Sequence, residues 1–167
     1  MAVTPDDFKG ALRRFASGVT VVAVRSQDAD LGMTASAFTS VSLTPPRVLV
    51  CVQKAAHLHD ALLAAGSFAV TVLAEPQQEL SNRFAGRASG DEDRFAELKV
   101  ERAPGSGALW FEGGLAWIDC ALAAAHDGGD HTIFVGDVVH ARHASDIPAE
   151  QALLYAAGRY RKVGDAL

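Results

Sequence analysis

Gly32-Met-Thr-Ala-Ser-Ala-Phe-Thr-Ser-Val-Ser42, followed closely by Pro45-Pro46, is the stretch on which the reading of this chain turns. At a period of two it sets Thr34, Ser36, Ser40 and Ser42 on one face, with Phe38 between them. Met33, Ala35, Ala37, Thr39 and Val41 fall on the other face. Hydroxyls need hydrogen-bond partners if buried. A bound polar ligand would supply them, and so would water along a solvated edge strand. If the strand is straight, the Thr34/Ser36 and Ser40/Ser42 pairs stand roughly 20 Å apart. That span suits an elongated ligand held at two ends better than a lone ion.

The flanking sequence reads as short strands with a few helices. Thr4-Pro5-Asp6-Asp7 is a helix start, with a capping Thr, Pro in the first turn and acids at the positive end of the dipole. Phe8, Leu12 and Phe15 continue it as one apolar stripe ending at Gly18. Val19 to Val24 is rich in β-branched residues and is predicted to be a strand. A turn over Asp28 to Gly32 leads into the hydroxyl-rich segment, and Val48 to Val52 follows as an apolar strand. Leu58, Ala61, Leu62 and Ala65 predict a helix stopped by Gly66, and Leu80 with Phe84 predicts another. Phe68 to Leu73 is predicted to be a strand between them. Gly86 to Gly107 is irregular, with one helical turn expected around Asp93-Arg-Phe95. Leu115 to Ala125 and Thr132 to Arg142 are predicted as two long strands around Gly128-Gly129. Strands that follow one another without intervening helices favour a barrel over a doubly wound sheet.

With 167 residues, 49% hydrophobic and 21% charged, the chain is expected to form one domain over 1–167. A net charge of -5 with scattered Lys and Arg argues against a nucleic-acid binder. No apolar run approaches the roughly 20 residues of a membrane helix. The N-terminus lacks the basic and apolar regions of a signal peptide. Cys51 and Cys120 lie in apolar strand-like segments and are expected to be free thiols, so a cytoplasmic location is expected.

Hydrolytic and phosphate-binding motifs are missing: no Gly-x-Ser-x-Gly elbow, no Walker loop and no His-Glu-x-x-His pair. His57, His59, Asp60 and His131 have no diagnostic metal spacing, and no metal is expected. Such a chain suits an enzyme in which a cofactor carries the chemistry. Lys54, just past an apolar strand, is either a solvated surface charge or a point charge for a phosphate. Gly129-Asp130-His131 is either turn chemistry or a site. Tyr155 with Gly158-Arg-Tyr-Arg161 is either a surface tail or a segment packed on something flat.

The segment from Gly32 to Ser42 resembles the signature of the flavin reductase-like family. So do Phe15-Ala-Ser-Gly-Val-Thr-Val-Val22, Asp119-Cys120, Gly129-Asp-His-Thr-Ile-Phe-Val-Gly136 and Gly158-Arg-Tyr-Arg161, in the same order. The resemblance implies a mainly β, Greek-key split barrel with peripheral helices. It also implies a flavin, FAD or FMN, contacted by Thr34, Ala35, Ser36, Ser40, Val41, Ser42, Gln53, Lys54 and His59. His131 would face the nicotinamide of NADH or NADPH, and Tyr160 and Arg161 would return to the flavin or nicotinamide. Where the family has an Asn, a basic residue and a Ser, this chain has Gln53, Lys54 and Ala55, so one hydroxyl is lost. His59 could equally serve capping or packing. The implied activity is NAD(P)H:flavin oxidoreduction by a homodimer that supplies a separate flavin-dependent monooxygenase. The alternatives are a non-catalytic flavin or haem binder on the same barrel, and a purely structural dimeric barrel.

Overall fold

A computed structural model of the chain describes residues 2–27, 29–86 and 94–164. The first helix, α1 (Pro5–Leu12), is capped by Thr4, whose side chain accepts from the Asp7 N–H. Its stripe does not reach a core: Phe8, Leu12 and Phe15 are all exposed. The helix stops at Leu12 rather than at Gly18, which instead lies in the two-residue strand β1 (Ser17–Gly18). Glycine therefore serves extended backbone here, not a helix end.

The main sheet uses β2 (Thr20–Ser26), β3 (Ala29–Ala35), β4 (Phe38–Leu43), β5 (Pro46–Gln53), β6 (Ser67–Val72), β9 (Ala116–Gly128) and β10 (His131–His143). Its order is β3-β2-β6-β9-β10-β5-β4, antiparallel throughout. The edge strands β3 and β4 are consecutive in sequence, joined only through Ser36 and Ala37. The Cys51 N–H donates to the Ala37 carbonyl at 3.0 Å, which continues the β4–β5 ladder into the bend between the two edge strands. The chain is thus mainly β, a split barrel.

Residues 32–42 are therefore not one straight strand, as the alternation had suggested. The chain bends at Ser36 and Ala37 to change from one sheet edge to the other. Thr34 pairs with Val21 and Ala35 with Thr20 on β2, whereas Ser40 pairs with Val48 on β5. A bulge between Ser40 and Ser42 then shifts the register, so that Ser42 pairs with Arg47. Directly paired residues share a face, and Val48 and Arg47 stand on opposite faces. Ser40 and Ser42 consequently point to opposite sides of the ladder. Period-two counting cannot foresee an inserted residue.

β2 is buried on both sides, as its run of valines requires. Val22 and Val24 face the barrel interior with Val50, Val52, Phe68 and Phe134. Val21 and Ala23 face an outer layer with Phe84, Trp110, Phe111 and Trp117. The helix α2 (His57–Ala65), ended by Gly66 at φ 62, covers the interior with Leu58 and Leu62. The helix α3 (Gln78–Ala85) packs Phe84 in the outer layer. Part of the stretch expected to be irregular is ordered as the hairpin β7 (Val100–Arg102) and β8 (Leu109–Phe111). The buried Asp119 carboxylate holds the intervening loop, accepting from the Gly105 N–H at 2.6 Å and the Ser106 N–H at 3.2 Å. The turn expected around Asp93-Arg-Phe95 lies in part outside the described residues, as does Asp28.

A small sheet of β1, β11 (Leu153–Ala156) and β12 (Arg159–Lys162) joins the two ends of the chain. Ser17 pairs with Tyr155, and the Val19 N–H donates to the Leu153 carbonyl at 3.1 Å.

Candidate functional site

Strand register assembles the first group of candidate residues. Along the β5–β10 ladder, His131 stands opposite Gln53, and the Lys54 N–H donates to the Asp130 carbonyl at 2.9 Å. The His131 ring is 43% exposed, with Nδ1 2.7 Å from Asp130 Oδ1. That contact holds the Asp130 carboxyl below its ordinary range, chiefly through the hydrogen bond and secondly through the charge of the imidazolium. Lys54 reaches the hairpin tip and pairs with the Asp127 carboxylate. The Asp127 pKa is lowered in turn, first by the Lys54 hydrogen bond and then by its charge. Ser36 is exposed and precedes Ala37, whose carbonyl accepts from the Cys51 N–H, so Ser36 lies toward the Gln53 end of β5 with Lys54 and His131.

Beside Gln53 opens a cleft of about 820 Å³, a volume ordinary for a small-molecule site. Gly32 and Met33 of β3 form one wall, and Ala55 and His57 at the start of α2 another. Phe84 and Gly86 at the end of α3, with Arg94 and Phe95, complete it. Gly32 is required here, because a Cβ at that position would lie 2.8 Å from the Phe84 ring. The cleft rim at Asp30 is held by two hydrogen bonds from Arg102 and an ion pair with Arg25. Asp30 raises the Arg102 pKa, mainly through the hydrogen bond.

The other predicted residues take different places. The Thr34 hydroxyl donates to the Ser81 carbonyl at 2.7 Å, and Ser81 Oγ lies 2.8 Å from the Tyr160 hydroxyl. Thr34, α3 and β12 are thus tied together, with Tyr160 edge-on to Tyr155 at 5.5 Å. Ala35 is buried and its carbonyl accepts from Thr20 Oγ1 at 2.8 Å. His59 is only 8% exposed and does not line the cleft. Its Nδ1 lies 2.7 Å from Asp60 and its Nε2 2.8 Å from Thr132 Oγ1, with the ring edge-on to Phe134. Ser40 and Val41 are exposed, and Ser42 accepts from the Thr44 N–H. They pair near the start of β5, about 17 Å along the strand from Gln53. Arg161 is exposed, and its side chain makes no hydrogen bond or ion pair among the described residues. No cluster of three metal-ligating side chains occurs among the described residues.

Sequence reading overlooked the cleft's own residues. Gly32 and Met33 were counted only as strand positions, and Arg94 and Phe95 as parts of an irregular excursion. The one signal available was an aromatic beside a cation in a polar stretch, which is too common to single out.

Comparison with known proteins places this architecture. The family described as "Flavin reductase like domain" matches residues 12–164. The chain is 42% identical over 150 residues to the NADH-dependent FAD reductase of Streptomyces globisporus, covering 89% of this chain and 80% of that protein. It is also 42% identical over 156 residues to the reductase component of 4-hydroxyphenylacetate 3-monooxygenase from Thermus thermophilus, covering 93% and 95%. The solved structure of the Streptomyces globisporus NADH:FAD oxidoreductase with NAD and FAD fragments superposes with a TM-score of 0.86. That match has 38% identity and covers 98% of this chain and 97% of the other. A match that runs through the barrel, both walls of the cleft and the closing β11–β12 hairpin makes this chain a member of the flavin reductase-like family.

Proposed function

We propose that the chain is an NAD(P)H:flavin oxidoreductase that reduces FAD or FMN and supplies the product to a separate flavin-dependent monooxygenase. The observation that carries this reading is the group at the barrel end. Gln53 and His131 are cross-strand neighbours beside a cleft, in a chain of this family. A flavin held there would supply the chemistry, as the acceptor of a hydride from the nicotinamide.

The residues present fit that task. The exposed Ser36 hydroxyl and the Gln53 amide can hydrogen-bond the polar edge of a flavin ring. Lys54 is a cation at the same end, shared with Asp127. With Nδ1 engaged by Asp130, Nε2 suits a carboxamide, accepting from its N–H when the ring is neutral and donating to its C=O when the ring is charged. The role is orientation rather than proton transfer, since hydride transfer needs no general acid. Holding two rings in register can supply several kcal/mol of the barrier.

We further read the chain as one domain and as a homodimer in the cytoplasm. Exposed apolar side chains on and just after α1 and on β4, Phe8, Leu12, Phe15, Val41 and Leu43, support the dimer. Two free cysteines support the compartment. No described helix is long and apolar enough to cross a membrane.

Purified protein should accelerate oxidation of NADH or NADPH when FAD or FMN is added, and the reduced flavin should sustain an added monooxygenase. No acceleration with any of the four pairings would remove the reading.

A further inference from the structure

The cleft shares only Gln53 with the group of Ser36, Lys54 and His131. A flavin ring beside His131 therefore leaves the cleft to another part of the same ligand. We propose that the cleft is an adenylate subsite, so that the chain selects FAD over FMN; this rests on the flavin reductase reading above. Relatives named for FAD and for FMN leave that choice open.

Two features of the wall fit an adenosine diphosphate portion. The first is a braced aromatic surface. Phe95 stacks on Phe111 at 6.3 Å and 14°, and Phe84 packs against both at 5.2 Å. Phe95, half-buried in the cleft wall and backed by the buried Phe84 and Phe111, gives a purine an aromatic surface to pack on. The second is a cation with no carboxylate partner among the described residues. Arg25 and Arg102 are engaged with Asp30, and Lys54 with Asp127. Arg83 donates to the Arg94 and Ala96 carbonyls, which ties the segment to α3. The Arg94 guanidinium itself makes no hydrogen bond or ion pair to a described residue, and one of its nitrogens lies beside Gly86. A planar guanidinium facing a cleft suits the adenylate phosphate, which it can meet with two parallel hydrogen bonds.

Binding of riboflavin, FMN and FAD is measured by flavin fluorescence, with AMP as competitor. The wild-type protein is expected to bind FAD at least about tenfold more tightly than FMN. AMP is expected to weaken FAD binding but not riboflavin binding. Arg94→Gln is expected to raise the Kd for FAD about tenfold while changing that for FMN much less. Equal affinities for FAD and FMN, or indifference to AMP, overturn the proposal without needing any variant to fold. Equal loss of FMN and FAD in Arg94→Gln also overturns it, because the guanidinium would then meet the phosphate common to both. Nicotinamide oxidation with FMN as acceptor separates the two failures. Turnover that persists with equal flavin affinities refutes the subsite alone.

Discussion

His131 stands directly opposite Gln53 across the β5–β10 ladder, so the two side chains proposed to meet nicotinamide and flavin are set by one strand register. A variant that removes only the imidazole should spare the flavin. His131→Ala is expected to slow flavin reduction on the order of 10²-fold, the cost of misplacing a reactant by about 1 Å. Flavin affinity should stay near wild type, and His131→Asn should retain more activity than the Ala variant. Stopped-flow reduction at saturating flavin checks this; wild-type rates in the Ala variant would make His131 a turn residue.

Ser40 and Ser42 pair about 17 Å along β5 from Gln53 and, across the β4 bulge, point to opposite sides. A flavin held at the barrel end with its adenylate in the cleft reaches neither, so Ser40→Ala and Ser42→Ala should each leave flavin affinity within about twofold of wild type. Flavin titration of the two variants checks this, and a loss of about tenfold in either would put a flavin phosphate on β4 instead.

Lys54 is held by Asp127, which competes with any ligand phosphate. Lys54→Met should weaken flavin binding, most at low salt, and Asp127→Asn should strengthen it. The Asp127 pKa is depressed by Lys54. The pair is therefore intact above the ordinary carboxylate range and is lost as pH falls through the lowered value. An NMR titration of Asp127 that midpoints at or above an unperturbed Asp would refute the pairing.

Both cysteines are free, but they should not react alike. Burial, and secondarily Asp119 and Asp137, push the Cys120 thiol up to about 12 from 9.0. A raised acid pKa stabilises the fold below the unfolded value and loses that contribution as pH rises through the folded one. Stability should therefore begin to decline above pH 9.0. A thiol reagent at neutral pH should label Cys51, which is partly accessible, well before Cys120. Unfolded, unreduced protein should titrate two thiols.

The fold was legible where burial dictates pattern. Val19 to Val24, Val48 to Val52 and the hairpin at Gly128-Gly129 appear as strands because their apolar runs and turn residues leave no other arrangement. The bend at Ser36 and Ala37 was not legible, since alternation continues through it without a Gly or Pro. β7 and β8 escaped because their loop is fixed by Asp119, distant in sequence. For the site, register brings Gln53, Lys54 and His131 together. His59 carried no sequence sign that Thr132 and Asp60 would occupy both its nitrogens. Arg94 and Phe95 gain meaning only from the α3 end beside them.

The pairing of β1 with β11 has a consequence for synthesis. Ser17 meets Tyr155 about 140 residues later, and at roughly 5–20 residues per second that wait is on the order of ten seconds. Until then the first strand has no neighbour on that side, and the Tyr160 hydroxyl that meets Ser81 has not yet been made. All seven barrel strands are thus made before the small sheet can form, and synthesis of β11 and β12 supplies the join that ties β1 down.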